Sequence, residues 1–307
     1  MALGRTLILK LAELRPVESL VRKSFLFRPV VKRFIAGDTL EESIAASEEL
    51  CKAGLLVTLD YLGENTHTEE ESRAAITKYK EMLTRIGQSP YASMINISIK
   101  LTQCGLDQGE AFAEANYREV LEHAKLTNTF VRIDMEASEY TERTVRMIER
   151  VFLDYPNTGT VLQSYLHRSL ADTELMIALG ARVRVVKGAY LEPASVAFPE
   201  KNEVDAKYVE MSKMLLARGN YPAIATHDEA IIKAVREFAV AEGIEKSRYE
   251  FQMLYGIRRD LQNSLHAEGH PVRVYVPFGD QWYPYFTRRL AERPANAMFI
   301  LKSLFKK

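Results

Sequence analysis

A strand-like segment recurs about every thirty residues, eight times over, and no other feature limits the possible folds so tightly. The segments are Leu55–Leu62, Ser93–Leu101, Phe130–Glu136, Thr160–Leu166, Ala181–Gly188, Pro222–His227, Tyr249–Tyr255 and Pro271–Phe278. Helical patterns follow each of them, near Glu69–Ile86, Gly109–Leu126, Glu139–Asp154, Ser169–Leu179, Glu203–Arg218, Asp228–Glu242, Arg258–Ala267 and Trp282–Phe305. Strand followed by helix eight times predicts an α/β chain closed into a parallel (βα)8 barrel ringed by helices.

One face of these strands is apolar, as the face against a helix layer must be: Ile95, Ile97 and Ile99; Val131, Ile133 and Met135; Val183 and Val185; Val272, Val274 and Val276. The alternate residues then line the lumen. They are Asn96, Ser98 and Lys100; Arg132, Asp134 and Glu136; Gln163; Arg182 and Arg184; His227; Arg273 and Tyr275. Barrels ordinarily fill this space with branched aliphatics, and an unpaired buried charge costs roughly several kcal/mol. So many lumen charges require partners or a ligand, which makes the barrel interior a site.

A chain of 307 residues with 47% hydrophobic content supplies one large core, which a barrel and an extension use up. Residues 1–54 read as N-terminal accessory helices, with a capped helix opening at Asp38-Thr-Leu-Glu-Glu and running to Cys51, and residues 55–307 as the catalytic barrel. The 41 basic and 41 acidic residues cancel, so the overall field gives no case for nucleic acid and the partner is expected to be small. Two cysteines, Cys51 and Cys104, and no secretory leader fit a reducing cytoplasm. Cys104 lies just past Lys100, where a thiol either reacts at the mouth or packs inertly, and packing is the expectation. No run reaches the roughly 18 apolar residues of a membrane span. The first 35 residues hold eight Lys or Arg (Arg5, Lys10, Arg15, Arg22, Lys23, Arg28, Lys32 and Arg33) among Leu, Val and Phe. Such an arm either packs on the barrel or on a partner subunit, or docks peripherally on the inner face of an anionic membrane. Segment 191–202, with Pro193 and Pro199, is the longest irregular insertion and is expected to help cover a ligand.

Barrel sites form where strands end at the C-terminal face. Lys100, Asp134, Gln163, Lys187, Tyr190, Thr226, His227 and Tyr275 fall at or just past those ends. In the last helix Tyr285, Arg288, Arg289 and Glu292, spaced i, i+3, i+4, i+7, form one polar stripe beside an apolar stripe of Phe286, Leu290, Ala297 and Leu301. Laid over the mouth, the two guanidiniums make a fork suited to a carboxylate. Neither standard phosphate loop is present, nor CxxC or HExxH, and the field of Lys100, Arg184, Lys187, Arg288 and Arg289 disfavours a metal ion. The pattern suits an anion.

The strings Ile-Ser-Ile-Lys100-Leu-Thr-Gln, Val-Arg-Ile-Asp134-Met-Glu, Val-Leu-Gln163-Ser-Tyr, Arg184-Val-Val-Lys187-Gly188-Ala189-Tyr190, Ala-Thr226-His227-Asp, Tyr249-Glu-Phe-Gln-Met-Leu254-Tyr-Gly and Val-Tyr275-Val-Pro occur in that order, followed by Tyr285-Phe-Thr-Arg288-Arg289-Leu-Ala-Glu292. Together they resemble the proline dehydrogenase family in order and register over about residues 38 to 305. The length resembles its short, monofunctional bacterial form. The resemblance implies a distorted barrel binding FAD, a final helix over the barrel mouth, and oxidation of L-proline to Δ1-pyrroline-5-carboxylate with electrons passed to a membrane quinone. It further implies that Lys100, Arg288 and Arg289 bind the proline carboxylate and that Asp134 hydrogen-bonds near Lys100 and the last helix to orient them. Arg184 would reach the flavin N5 region. Met135, Gln163, Lys187, Gly188, Ala189, Thr226 and His227 would hold FAD, while Tyr190, Leu254, Tyr275 and Tyr285 enclose the proline ring. Glu64 matches a position whose carboxylate pairs with Arg288 as a gate. Leu191 departs from the family, where a large aromatic can stand against the cofactor. A Schiff-base aldolase using Lys100 or Lys187 is the alternative chemistry such a barrel could carry, and a noncatalytic, membrane-docked interaction protein is the alternative outside catalysis. The oligomeric state is left open.

Overall fold

A computed structural model describes residues 18, 21–22 and 28–292 of the chain. Eight strands close into a barrel in sequence order: β1 (Leu56–Tyr61), β2 (Ile95–Ile99), β3 (Val131–Ile133), β4 (Thr158–Gln163), β5 (Arg182–Val186), β6 (Ala223–Ala225), β7 (Glu250–Leu254) and β8 (Val272–Phe278). Every neighbouring pair is parallel, β8 returning to β1 with Thr58 level with Tyr275. Before β1 come α1 (Arg28–Phe34) and α2 (Leu40–Lys52). The helices after successive strands are α3 (Glu69–Gly87), α4 (Glu110–Leu126), α5 (Ser138–Val151), α6 (Ser169–Leu179), α7 (Lys201–Arg218), α8 (Glu229–Ala241), α9 (Arg259–Ala267) and α10 (Trp282–Glu292).

The outward strand residues are dry. Ile97, Ile99, Val131, Ile133, Val183, Val185, Val274 and Val276 are fully buried between strands and helices, each worth about 1.5–3 kcal/mol of burial. The fourth strand starts two residues earlier than the sequence suggests, because Gly159, which reads as a turn residue, belongs to it. A Cβ there would collide with the Arg182 carbonyl on β5, so only glycine lets the two backbones approach. Ser164 to Leu166 turn away at the other end, Leu166 N–H bonding back to the Gln163 carbonyl.

Two helices depart from a regular ring, and both matter for the site. α2 is fixed by a capping box, in which Thr39 Oγ1 accepts from Glu42 N–H and the Glu42 carboxylate accepts from Thr39 N–H. It packs Leu40, Ile44 and Cys51 into the core beside β1 and β8. α10 lies across the C-terminal ends of those same strands: Tyr285 meets Leu62 and Ile35, and Phe286 meets Phe34 of α1 at 6.3 Å between ring centroids. Thus α2 flanks the β8–β1 edge while α10 closes the mouth, the distortion that the sequence resemblance implies. Of the expected helix stripes, the side chains of Leu290, Glu292, Ala297 and Leu301 lie outside the described residues, as do Arg5, Lys10, Arg15 and Lys23 of the basic arm. Arg22, within the described part of that arm, lies over the Trp282 ring at 5.1 Å and donates to the Asp280 carbonyl at 2.9 Å. No helix among the described residues is long and apolar enough to cross a membrane.

Candidate active site

The lumen charges pair in layers. At the floor Arg273 Nε donates to Glu250 Oε1 at 2.8 Å, and Arg132, 2% exposed, donates to the carbonyls of Thr160 and Arg182 at 3.0 and 3.2 Å. Burial raises the Glu250 carboxyl, but Arg273, Gln252 and Arg132 outweigh it and the group ends below its ordinary pKa. Glu250 and Gln252 escaped the sequence reading although the alternation of Tyr-Glu-Phe-Gln-Met carried the signal; Thr58 and Asp60 escaped likewise on β1.

One layer up, Arg184 is immobilised by three partners. It donates to Gln252 Oε1, to Asp134 Oδ1 at 2.7 Å and to Ser98 Oγ at 3.2 Å, and its guanidinium lies over the Tyr275 ring at 5.1 Å. The Tyr275 hydroxyl donates to Asp134 Oδ2 at 2.6 Å. Each oxygen of Asp134 therefore has a partner, on β5 and on β8. This corrects the expectation that Asp134 bonds near Lys100 and the last helix. The Lys100 ammonium instead reaches Asp60 Oδ1 at 2.8 Å, because β1 lies beside β2 and presents its carboxylate directly. Asp134 still acts on Lys100 through its charge. Burial lowers the Lys100 pKa, yet Asp60, Asp134 and Glu64 together lift it above its ordinary value. Such a lysine stays protonated, which opposes the Schiff-base alternative at this residue.

At the mouth Glu64, just past β1, accepts from Arg288 Nη2 at 2.6 Å and Nη1 at 3.3 Å, a bidentate pair linking the β1 loop to α10. Arg288 stands over the Tyr190 ring at 6.0 Å and Arg289 over Tyr285 at 5.2 Å. Burial first, then Asp134 and Asp60, hold the Tyr275 phenol well above its usual pKa; burial and Glu64 raise Tyr190. Both are neutral donors, not bases. Leu254 on β7 pairs in register with Tyr275 and is partly exposed toward this end. Lys100, Asp134, Arg184, Tyr190, Tyr275, Tyr285, Arg288 and Glu64 thus form one interconnected constellation, with Leu254 and Arg289 on its edge.

A second group follows β4, β5 and β6. Gln163 Nε2 donates to the Glu136 carbonyl at 3.3 Å, while its Oε1 is buried with no hydrogen-bond donor among the described residues. Lys187 Nζ bonds Asp228 at 2.9 Å and Asp205 at 2.6 Å, tying β5 to β6 and α7. Thr226 Oγ1 accepts from Asp228 N–H, and His227 Nε2 accepts from Leu254 N–H at 3.1 Å, which puts the imidazole proton on Nδ1. Gly188 has φ +114°, and a Cβ there would enter the Tyr165 ring. Ala189 follows it on the partly buried rim. An unmatched buried acceptor, a lysine and a glycine backbone at one barrel edge fit a ring N–H and a phosphate-bearing tail, so the residues suit a flavin nucleotide. Met135 stands apart: its side chain belongs to the same buried apolar cluster as Val131 and Ile133. Cys104 is fully buried and its thiol is pushed up by burial and by Glu136, as an inert packed thiol should be. The 191–202 insertion is pinned across the rim by an antiparallel bridge between Ala197 and Leu166, and Glu192 accepts from Ser138 N–H at 2.8 Å. Leu191 within it is 64% exposed.

Residues 43–302 match a family model described as Proline dehydrogenase. The chain is 41% identical to Proline dehydrogenase 1 of Bacillus subtilis subsp. natto, covering 93% of this chain and 94% of the relative. It is also 41% identical to the proline dehydrogenase of Deinococcus radiodurans, over 99% of this chain and 98% of that one. Among solved structures it resembles proline utilization A (PutA) from Bdellovibrio bacteriovorus, with a TM-score of 0.81 at 23% identity, covering 94% of this chain but 36% of the other. That likeness is one of fold.

Proposed function

Because this chain belongs to the proline dehydrogenase family, an oxidoreductase family of the first step of proline catabolism, we propose that it oxidises L-proline to Δ1-pyrroline-5-carboxylate with FAD and passes the electrons to a membrane quinone. The observation that supports the reading is that Lys100, Arg288 and Arg289, on β2 and α10, are brought together with the phenols Tyr190, Tyr275 and Tyr285 at the C-terminal end of the barrel. An amino acid whose carboxylate meets the cations is held with its ring against Tyr190, Leu254, Tyr275 and Tyr285. The bound flavin supplies the acceptor for the hydride that leaves the ring carbon beside nitrogen. The protein's own part is positioning: Arg184, fixed by Asp134, Ser98 and Gln252, stands at the junction of the proline and flavin groups, and α10 keeps water out. Met135, Gln163, Lys187, Gly188, Ala189, Thr226 and His227 hold the FAD. The Glu64–Arg288 pair serves as a gate that closes over substrate. The basic N-terminal residues bring the enzyme to the inner face of the cytoplasmic membrane, where the quinone lies.

Purified protein should be yellow, release FAD and not FMN on denaturation, and lose its flavin absorbance on anaerobic addition of L-proline. A colourless protein that traps a carbonyl substrate on borohydride treatment would overturn the assignment.

A further inference from the structure

The last lumen-facing residue of β1 is a carboxylate, Asp60, 1% exposed and level with Ser98 on β2 and Pro277 on β8. Its Oδ1 accepts from the Lys100 ammonium at 2.8 Å. The other carboxylates that face Lys100 are committed elsewhere. Asp134 holds Arg184 and Tyr275, Glu64 holds Arg288, and Glu136 accepts from the Thr102 N–H and hydroxyl. Three phenols complete the surroundings: Tyr79, whose oxygen accepts from the Lys100 backbone N–H, Tyr190 on the rim, and Tyr275 of β8, whose hydroxyl lies against Asp60. A lysine only 7% exposed, with no bonded carboxylate, would hold its proton less tightly, against burial and with only the charges of Asp134 and Glu64 to help, and would lose its direction.

Resting on the reading that Lys100 binds the substrate carboxylate, we propose that Asp60 is a positioning residue that keeps the Lys100 ammonium charged and aimed, so that the amino acid meets a fixed cation. The Tyr275 hydroxyl also lies against Asp60, and pairing the Asp60 variant with a Lys100 variant separates that contact from the effect carried by the ammonium.

The test uses the flavin-loaded enzyme and tetrahydro-2-furoate, a carboxylate with the proline ring shape but no ionisable amine, with binding read from the flavin spectrum. Asp60→Asn should weaken binding about tenfold or more at pH 8, and its Kd relative to wild type should grow as pH rises to about 9.5 and Lys100 loses its proton. Taking the ratio to wild type cancels other titrating groups. In a Lys100→Met background, Asp60→Asn should add less than about a twofold loss. Asp60→Glu keeps the charge and should hold the ratio flat across pH; it also serves if the Asn variant fails to retain flavin. A pH-independent ratio for Asp60→Asn, a rising one for Asp60→Glu, or an undiminished loss in the Lys100→Met background would overturn the role. Wild-type affinity in Lys100→Met alone would instead strike the clamp reading on which the role depends, and that result is read separately.

Discussion

Asp134, a lumen residue by strand alternation, takes partners that its position in the sequence does not name. Its two oxygens hold Arg184 at 2.7 Å and the Tyr275 hydroxyl at 2.6 Å, so it joins the residue proposed to reach the flavin to one proposed to border the substrate. Asp134→Ala should lower kcat/KM for proline by roughly 10²–10³ while flavin content stays near wild type, because Arg184 keeps Gln252 and Ser98 as partners and the residues proposed to hold the rest of the FAD, Met135 apart, lie on other strand ends. Near-normal turnover would remove it from the machinery. Tyr275 presents a second case. Its hydroxyl donates to Asp134 and Arg184 lies over its ring, and the ring is proposed to border the bound substrate. The wild type should prefer proline to trans-4-hydroxyproline, and Tyr275→Ser should narrow the ratio of the two kcat/KM values by the equivalent of about 1–3 kcal/mol. Measurement with one electron acceptor for both substrates decides it; an unchanged ratio places Tyr275 away from the ring.

At the scale of elements, the loop after β5 and the helix α10 complete the site from opposite sides. Gly188 takes a left-handed φ of +114° against the Tyr165 ring, a conformation and a space that no side chain shares. Gly188→Ala should therefore displace the Lys187–Tyr190 segment and weaken flavin retention more than it lowers the melting temperature. Flavin-to-protein ratio after dialysis is the measurement. α10 is tied to the β1 loop by the bidentate Glu64–Arg288 pair, about a quarter exposed on each side. Arg288→Met should raise KM for proline by about tenfold or more, and Glu64→Ala should raise it less, since only the arginine also meets substrate. Equal effects of the two would assign the pair to structure alone. Sequence located both elements, through the Lys187-Gly188-Ala189-Tyr190 string and the i, i+3, i+4 spacing of Tyr285, Arg288 and Arg289. The family resemblance also implied that Glu64 meets Arg288 across 224 residues, and the two side chains do meet; no periodicity within either element carries that contact.

For the whole molecule, acid sensitivity should have an identifiable source outside the site. His270, 3% exposed between α9 and β8, packs against Tyr249 and Phe251, and neither ring nitrogen has a hydrogen-bond partner among the described residues. Burial, with Lys246 and Arg236 nearby, lowers its pKa from 6.5 to about 4. The unfolded chain thus binds this proton more readily than the folded one. Its contribution is intact above about pH 6.5 and is lost as pH falls toward about 4, on the order of 2 kcal/mol. His270→Leu should flatten that part of the stability profile in urea titrations at pH 7 and pH 5; a parallel loss in variant and wild type would place the acid sensitivity elsewhere.

Sequence alone determined the barrel, because strand alternation and helix periodicity are local and each segment carries its own copy of the signal. It also determined which residue types line the lumen, and hence the expectation that the interior binds an anion. Only the tertiary structure decided who pairs with whom. Lys100 takes Asp60 and not Asp134, Arg184 takes Gln252, and α2 packs beside β1 and β8 while α10 lies across the mouth. These choices depend on the stagger of parallel strands around a closed sheet, which sets which lumen side chains from non-adjacent strands share a layer. That stagger is a property of the closed ring, and no single strand contains it.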